Sequence, residues 1–109
     1  MQINNIFNQI VSNMKADPIH LNNVNAIYEF HITGETESVY QLVLNNGDVT
    51  YIVGAKEEPT ITLVLSEESF LKMTNGSLNP TVAYMSGKLK VKGDLSQALK
   101  LQSLLKQYQ

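Results

Sequence analysis

The two histidines, His20 and His31, are the side chains of this chain best suited to act as a general base or to bind a metal. His31 lies beside Glu29 in a segment of alternating polarity, and His20 follows Pro18 in a predicted loop. Neither has a second histidine two or four residues away, so the spacing that directs two ligands towards one metal is absent. The chain also has no cysteine, which excludes thiolate nucleophiles and the usual structural zinc sites. We therefore expect no metal site and no cofactor.

The remaining catalytic motifs are incomplete. No serine lies in a Gly-x-Ser-x-Gly turn, and the Ser-Gly-Lys segment at 86–88 lacks the earlier glycine and the Lys-Ser/Thr pair of a phosphate-binding loop. The Glu-Glu pairs at 57–58 and 67–68 are predicted in a loop and in the first turn of a helix, where solvent and the helix dipole stabilise them. Because no set of acid, base and nucleophile remains, the sequence predicts a protein that is not an enzyme.

A stripe of lysines near the C-terminus has two interpretations. Lys88, Lys90 and Lys92 alternate with Leu89 and Val91, which is typical of a strand with one face in water. Lysines on an edge strand discourage pairing with another sheet. The alternative is a basic stripe that meets anionic lipid headgroups.

The composition is that of one globular domain. The chain has 109 residues, of which 43% are hydrophobic, a net charge of −2 and no arginine. A chain of this length buries about two-thirds of its surface, and a nucleic-acid-binding domain would show a basic patch. No segment approaches the roughly 20 apolar residues of a membrane span, and the first residues lack the apolar run of a signal peptide. We therefore expect a single domain over residues 1–109 that is monomeric, cytoplasmic and does not bind nucleic acid.

The first half of the chain predicts one helix followed by four strands. Apolar residues recur at helical spacing over 3–14, and the helix stops before Pro18. Asn46-Gly47 predicts a type I′ hairpin turn between the second and third strands. We interpret the strands as an antiparallel meander with its more apolar face inward. Alternating polarity places these strands at 26–32, 39–44, 49–53 and 61–65.

The second half predicts three helices and a fifth strand. Ser66 and Asn79 are placed to cap two short helices, and residues 88–92 form the strand. Asp94 then caps a last helix over 95–105, whose apolar residues cover more than half of its circumference. Such a broad apolar arc indicates contacts on more than one side.

Five segments of the second half carry a family resemblance. They read TITL at 60–63, SEESF at 66–70, MTNGSLNP at 73–80, AYMSGKLKVKGD at 83–94 and ALKL at 98–101. On these segments the chain resembles the sterol carrier protein type 2 family, which usually reads Met-Thr-Gly-Lys-Leu-Asn-Pro, then Ala-Phe-Met-Ser-Gly-Lys-Leu-Lys-Ile-Lys-Gly, then Ala-Met-Lys-Leu. The first half is similar only in the order of its elements. The C-terminus lacks a peroxisomal signal, which favours a small free-standing microbial member.

The resemblance implies both a fold and a function. The fold is α+β, a two-layer sandwich in which a five-stranded, mainly antiparallel sheet carries helices on one face and encloses an apolar tunnel. The function is that of a lipid carrier, which binds a fatty acid, acyl-CoA, sterol or phospholipid in the tunnel and contacts membrane surfaces transiently. No catalytic residues are implied. The alternative function is a protein-interaction module with a filled core and no lipid ligand.

The predicted faces of the elements then indicate which residues contact the ligand. Those on the sheet form the floor of the tunnel, and those on the helices form its roof. The predicted ligand-contacting residues are Tyr28, Phe30, Leu42, Leu44 and Tyr51 from the sheet, and Phe70, Met73, Leu78, Val82, Met85, Leu95 and Leu99 from the helices.

Overall fold

Helices and strands follow one another in the order that the sequence predicts. The computed structural model describes residues 3–108, and the ends of the predicted domain, residues 1, 2 and 109, lie outside the described residues. A 3₁₀ turn over Pro18–Leu21 was not predicted. The elements are the helices α1 (Ile3–Ala16), α2 (Glu67–Thr74), α3 (Pro80–Met85) and α4 (Leu95–Lys106), and the strands β1 (Asn25–Thr33), β2 (Ser38–Asn45), β3 (Asp48–Val53), β4 (Ile61–Ser66) and β5 (Leu89–Lys92).

Side-chain caps define where three of the helices begin. Ser66 Oγ accepts a hydrogen bond from the N–H of Ser69 at 3.1 Å, at the start of α2. Asn79 Oδ1 accepts one from the N–H of Val82 at 3.2 Å, and Pro80 occupies the first turn of α3. The first N–H groups of a helix have no partner inside it, so each helix begins where a cap supplies one. These two predicted caps are confirmed, and so is the cap of α4, where Asp94 Oδ1 accepts a hydrogen bond from the N–H of Ser96 at 2.9 Å.

The sheet has the strand order β3-β2-β1-β4-β5, and one pair in it is parallel. The pairs β1–β2, β2–β3 and β4–β5 are antiparallel, whereas β4 runs parallel to β1 with Phe30 opposite Leu63. The predicted four-strand meander is therefore wrong at its last step, because β4 does not lie beside β3. The predicted α+β fold with a five-stranded, mainly antiparallel sheet and helices on one face is confirmed.

A polar network on the outer face of the sheet explains the position of β4. The side-chain oxygen of Gln41 accepts hydrogen bonds from the N–H groups of Lys56 and Glu57, in the connection between β3 and β4. The side-chain nitrogen of Gln41 donates to the Glu57 carbonyl at 2.8 Å and to the Glu29 carboxylate at 2.7 Å. The second carboxylate oxygen of Glu29 lies 2.7 Å from His31 Nε2. Because buried polar groups are stable only when paired, this network holds the connection across the outer face of the sheet, and β4 follows it on the far side of β1.

The inner face of the sheet meets the helices at Phe7 of α1. The Phe7 ring stacks on Tyr40 and Tyr51, with centroids 4.9 Å and 5.4 Å away. It also contacts Phe30 at 5.5 Å and Phe70 at 5.3 Å. Four residues of α1 are Asn, which is a weak helix former, so this packing stabilises the helix.

Candidate functional site

An open cavity of about 700 Å³ lies between α4 and the start of β1. Its volume is within the range of sites that hold small molecules, roughly 300–1,000 Å³. One wall comes from the 3₁₀ turn and β1, and the other comes from α4. The lining residues are His20, Asn23, Val24, Asn25, Ala26, Tyr28, Gln97, Leu99, Lys100, Ser103, Leu104 and Gln107.

Tyr28 and Leu99 are the two predicted ligand-contacting residues that line this cavity. Tyr28 lies on the inner face of the sheet, opposite Leu42 of β2. Burial raises the pKa of the Tyr28 phenol above its ordinary value, because the charged phenolate would be poorly solvated there. A tyrosine phenol is already neutral near pH 7 at its ordinary pKa, so the ring presents a neutral, largely apolar surface to the cavity.

Leu99 lies between this cavity and a second one. A depression of about 340 Å³ is bounded by Leu78, Leu99 and Gln102, together with the loop before α3. Leu99 is 41% exposed, so its side chain borders the open space on both sides of α4. Added volume at this position would therefore affect both cavities.

Gln102 is a buried polar side chain without a hydrogen-bond partner. It lies on the face of α4 that also carries the buried residues Ala98, Leu101 and Leu105. Neither its side-chain nitrogen nor its side-chain oxygen is paired within the described residues. An unpaired buried amide is unfavourable, and Gln102 also lines the depression beside Leu99. The side chain is therefore placed to bind a polar group that enters there.

Gln102 was not among the predicted ligand-contacting residues. The sequence does contain a signal for it, because Gln102 is four residues after Ala98 and three before Leu105 in an otherwise apolar stripe. A polar residue at that spacing must be buried with the stripe, where it needs a partner.

Several predicted residues are closed within the core. Phe30 and Phe70 contact the Phe7 ring directly, and Tyr51 is stacked on it. Leu44 is buried but borders a shallow depression of about 290 Å³ at the edge of β1 and β2. The other members of this group, fully buried or partly buried against the core, are Leu42, Met73 and Leu95.

Two predicted residues point outward from α3. Val82 is 60% exposed and Met85 is 80% exposed. Ala83 and Pro80 are the residues that α3 buries against the rest of the fold. Val82 and Met85 therefore lie on the molecular surface rather than among the enclosed side chains.

The rim of the larger cavity carries two basic side chains, His20 and Lys100. The His20 ring meets Tyr108 edge-on, with centroids 5.6 Å apart. The Tyr108 hydroxyl donates a hydrogen bond to the Asp17 carbonyl at 2.6 Å. These contacts join the segment after α4 to the 3₁₀ turn and to the residue before it, beside the cavity.

The described residues offer no ready site for a metal ion. Over residues 3–108, no three His, Cys, Asp or Glu side chains come together in a way that could hold one. His31 instead directs Nε2 at Glu29 and has Nδ1 3.7 Å from Glu37. None of the helices in this range is both long enough and apolar enough to pass through a bilayer.

Comparison with known proteins relates this geometry to a family. The sequence profile of the SCP-2 sterol transfer family matches residues 7–106. This chain belongs to that family. The resemblance in the second half of the sequence is thereby confirmed, and the match to the SCP-2 family extends it back into α1, where residue similarity was weak.

Members of the SCP-2 family are found in longer proteins and as solved single domains. Bovine hydroxysteroid dehydrogenase-like protein 2 is 35% identical over 101 residues, which make up 91% of this chain and 24% of that protein. This chain therefore spans about a quarter of the length of that relative. Sterol carrier protein 2 of Yarrowia lipolytica, in its apo form, is 29% identical with a TM-score of 0.79, and the match covers 95% of this chain and 89% of that one.

A structure with a bound lipid shares the fold. Sterol carrier protein 2 of Aedes aegypti, in complex with the C16 fatty acid palmitate, has a TM-score of 0.74 at 18% identity. The match covers 100% of this chain and 98% of that one. At this identity the likeness concerns the fold alone.

Proposed function

We propose that this SCP-2 family chain binds one long acyl chain beside α4 and acts as a lipid carrier that catalyses no reaction. The observation that carries the proposal is the setting of α4, which has open cavities on both sides of Leu99 and an unpaired buried amide at Gln102. The palmitate bound by the Aedes aegypti relative supports a fatty acid as the ligand. An acyl-CoA, a sterol or a phospholipid presents similar apolar surface.

In this proposal Tyr28 and Leu99 contact the acyl chain, and Gln102 binds a polar group of the ligand. A longer ligand reaches the floor residues around Phe30 only if Phe7 shifts, because its ring covers them. Val82 and Met85 are not part of the binding site, since both are exposed.

The energetics of carriage follow from apolar burial. A sixteen-carbon chain gains roughly 12 kcal/mol on leaving water, at about 0.8 kcal/mol per methylene group. An acyl chain in a bilayer is already out of water, so the free energy of its transfer from the bilayer into an apolar cavity is close to zero. We therefore expect a monomeric carrier that exchanges lipid during brief contacts with membranes.

The test of the site is a substitution that fills it. Leu99→Trp adds an indole between the two cavities and is expected to lower the uptake of a fluorescent fatty acid at least tenfold. Leu71→Trp is the matched control, because Leu71 is similarly exposed, at 38%, and lies on α2 away from the cavities beside α4. Equal uptake by the wild type and a folded Leu99→Trp variant would show that the lipid site does not lie beside α4.

The filled core around Phe7 favours one alternative, a protein-interaction module without a lipid ligand. Native mass spectrometry of the freshly purified protein separates the two functions. A co-purified lipid mass supports carriage, and an apo mass combined with weak fatty-acid affinity supports the interaction module.

A further inference from the structure

Helix α3 presents apolar side chains to solvent. Val82 and Met85 are three residues apart and therefore neighbours on one side of the helix. Tyr84, between them in the sequence, is also exposed. A short helix that buries Pro80 and Ala83 while leaving these larger side chains in water has a surface that is suited to an apolar partner.

The charges of the chain are divided unevenly along its length. Residues 1–68 contain nine acidic residues and two lysines, whereas residues 69–109 contain one acidic residue, Asp94, and six lysines. The net charge of −2 is therefore the sum of an acidic segment, residues 1–68, and a basic segment, residues 69–109, which contains α3. Such an asymmetry is typical of chains that meet an anionic polymer or membrane. The lysines of the basic segment are Lys72, Lys88, Lys90, Lys92, Lys100 and Lys106.

Lysines lie on both sides of α3. Beyond its C-terminal end, a depression of about 350 Å³ is lined by Gly87 together with Lys72, Lys88 and Lys90. Glu68 also lines it and lies 3.4 Å from Lys72, so Lys88 and Lys90 supply the net positive charge there.

At the other end of α3, Lys106 lines a second depression. Its other lining residues include Pro80, the first residue of α3, and Leu99 of the proposed lipid site. Lys106 and the start of α3 therefore border the same depression as Leu99 of the proposed lipid site.

We propose that α3 and its flanking lysines form the surface by which this protein docks on a bilayer that contains anionic lipids. The inference rests on the proposed function and names the surface at which lipid would be exchanged. Val82 and Met85 enter the interfacial region, as the apolar residues of membrane-surface helices do, while Lys88 and Lys90 remain at the level of the headgroups. Charge complementarity selects the bilayer as the occupant, because the depressions lined by Lys88, Lys90 and Lys106 adjoin the two ends of α3, at Gly87 and at Pro80.

The experiment is co-sedimentation of the full chain with two kinds of vesicle. One kind is pure phosphatidylcholine, and in the other about a third of the lipid is phosphatidylserine. The first test variant, Val82→Ser with Met85→Ser, is compared with Ile19→Ser and Val53→Ser, which replace exposed apolar residues elsewhere.

A second pair of variants tests the charges. Lys88→Gln with Lys90→Gln is compared with Lys15→Gln and Lys56→Gln, which remove the same charge from the acidic part of the chain. Circular dichroism confirms that each variant folds, and Met85→Ser alone replaces the double variant if Val82→Ser disturbs α3.

The wild type is expected to bind the anionic vesicles at least tenfold more tightly than the neutral ones. This preference should disappear at about 1 M salt, because the Debye length falls to about 3 Å and the charges are screened. Both test variants are expected to lose about tenfold in binding to the anionic vesicles, and both controls to stay within twofold. No vesicle binding by the wild type, or equal losses in tests and controls, would overturn the proposal; the first outcome would favour a protein partner for α3.

Uptake of a fluorescent fatty acid, measured without vesicles, separates this inference from the proposed function. A wild type that takes up fatty acid but ignores vesicles overturns the docking surface alone. A wild type that binds anionic vesicles through α3 but takes up no fatty acid overturns the carrier and leaves the docking surface supported.

Discussion

At the scale of single residues, hydrogen-bond pairing distinguishes two buried glutamines, Gln41 and Gln102. Gln41 uses both ends of its amide, on the Glu29 carboxylate and on the backbone of the β3–β4 connection. Gln102 binds no partner with either end among residues 3–108. A paired buried amide holds structure together, whereas an unpaired one destabilises the empty protein and is available to a ligand.

Replacement of each glutamine by leucine, which has a similar volume, should therefore have opposite effects. Gln41→Leu leaves one oxygen of the buried Glu29 carboxylate, and the backbone groups that Gln41 binds at Lys56 and Glu57, without this partner. It is expected to lower the free energy of unfolding by about 3 kcal/mol. Gln102→Leu removes two unpaired atoms and is expected to raise it by about 1 kcal/mol while weakening ligands with a polar head. Urea denaturation measures both, and a loss of stability in Gln102→Leu would show that its amide is paired in solution.

Two glycines with positive φ differ in what surrounds them. Gly87 has φ +81° and open space where a Cβ would lie, whereas Gly93 has φ +125° and would place a Cβ 2.9 Å from Ile61 Cγ2. Gly87→Ala is expected to cost about 1 kcal/mol for backbone conformation alone, and Gly93→Ala about 2–3 kcal/mol because a clash is added. Chemical denaturation checks the order, which equal or reversed losses would contradict.

At the scale of elements, α1 depends on its packing rather than on its composition. Phe7 is fully buried among aromatic rings, while much of the helix surface is Asn and Gln. The ring fills the space above Phe30 that an apolar tunnel would need. In the proposed carrier, the position of α1 would therefore control how much of the inner face a ligand can reach.

Phe7→Ala is expected to lower the free energy of unfolding by about 3–5 kcal/mol, because it leaves a cavity in the aromatic cluster. A saturating fatty acid should restore about 2–3 kcal/mol by occupying that space, as expected at about 100 times its Kd. Met14→Ala is the control, since Met14 is equally buried but two turns further along α1. Equal restoration in both variants would show that the acyl chain does not reach the Phe7 space.

At the scale of the whole molecule, the proposed lipid site and the proposed docking surface differ in charge. The cavity beside α4 has Lys100 and His20 only at its rim, whereas several lysines surround α3. Lipid binding in solution should therefore depend mainly on apolar burial, and membrane docking on charge. The two processes can be separated by salt.

Palmitate and its methyl ester are expected to bind within about tenfold of each other, a difference near 1.4 kcal/mol. One exposed lysine at the rim contributes little to the binding free energy of a carboxylate. Binding through apolar contacts alone is as strong, or slightly stronger, at high salt. Fluorescence displacement at about 0.1 M and 1 M salt measures this, with Lys100→Gln as the control for a rim anchor. A large preference for the free acid that disappears both at 1 M salt and in Lys100→Gln would contradict the expectation and identify Lys100 as the anchor.

The local features of this protein were determined by the sequence itself. The caps at Ser66 and Asn79, the hairpin turn at Asn46-Gly47 and the inward face of each strand depend on residues close together in the chain. The spacing of these residues in the sequence therefore predicts such features directly, since a helix repeats every 3.6 residues and a strand every two. The order of the elements and the family resemblance followed from the same local patterns.

The tertiary structure alone decided how these elements are arranged. A strand that pairs in parallel has the same alternation as one that pairs antiparallel, so alternation could not place β4 beside β1. That place depends on contacts between residues far apart in the chain, namely the β1–β4 ladder and the bonds of Gln41 to the connection before β4. Likewise, apolar residues on a helix do not indicate which of them a neighbour covers. Phe7 therefore came to fill the core and Met85 to face solvent, because burial is set by the relative positions of packed elements rather than by their sequence periods.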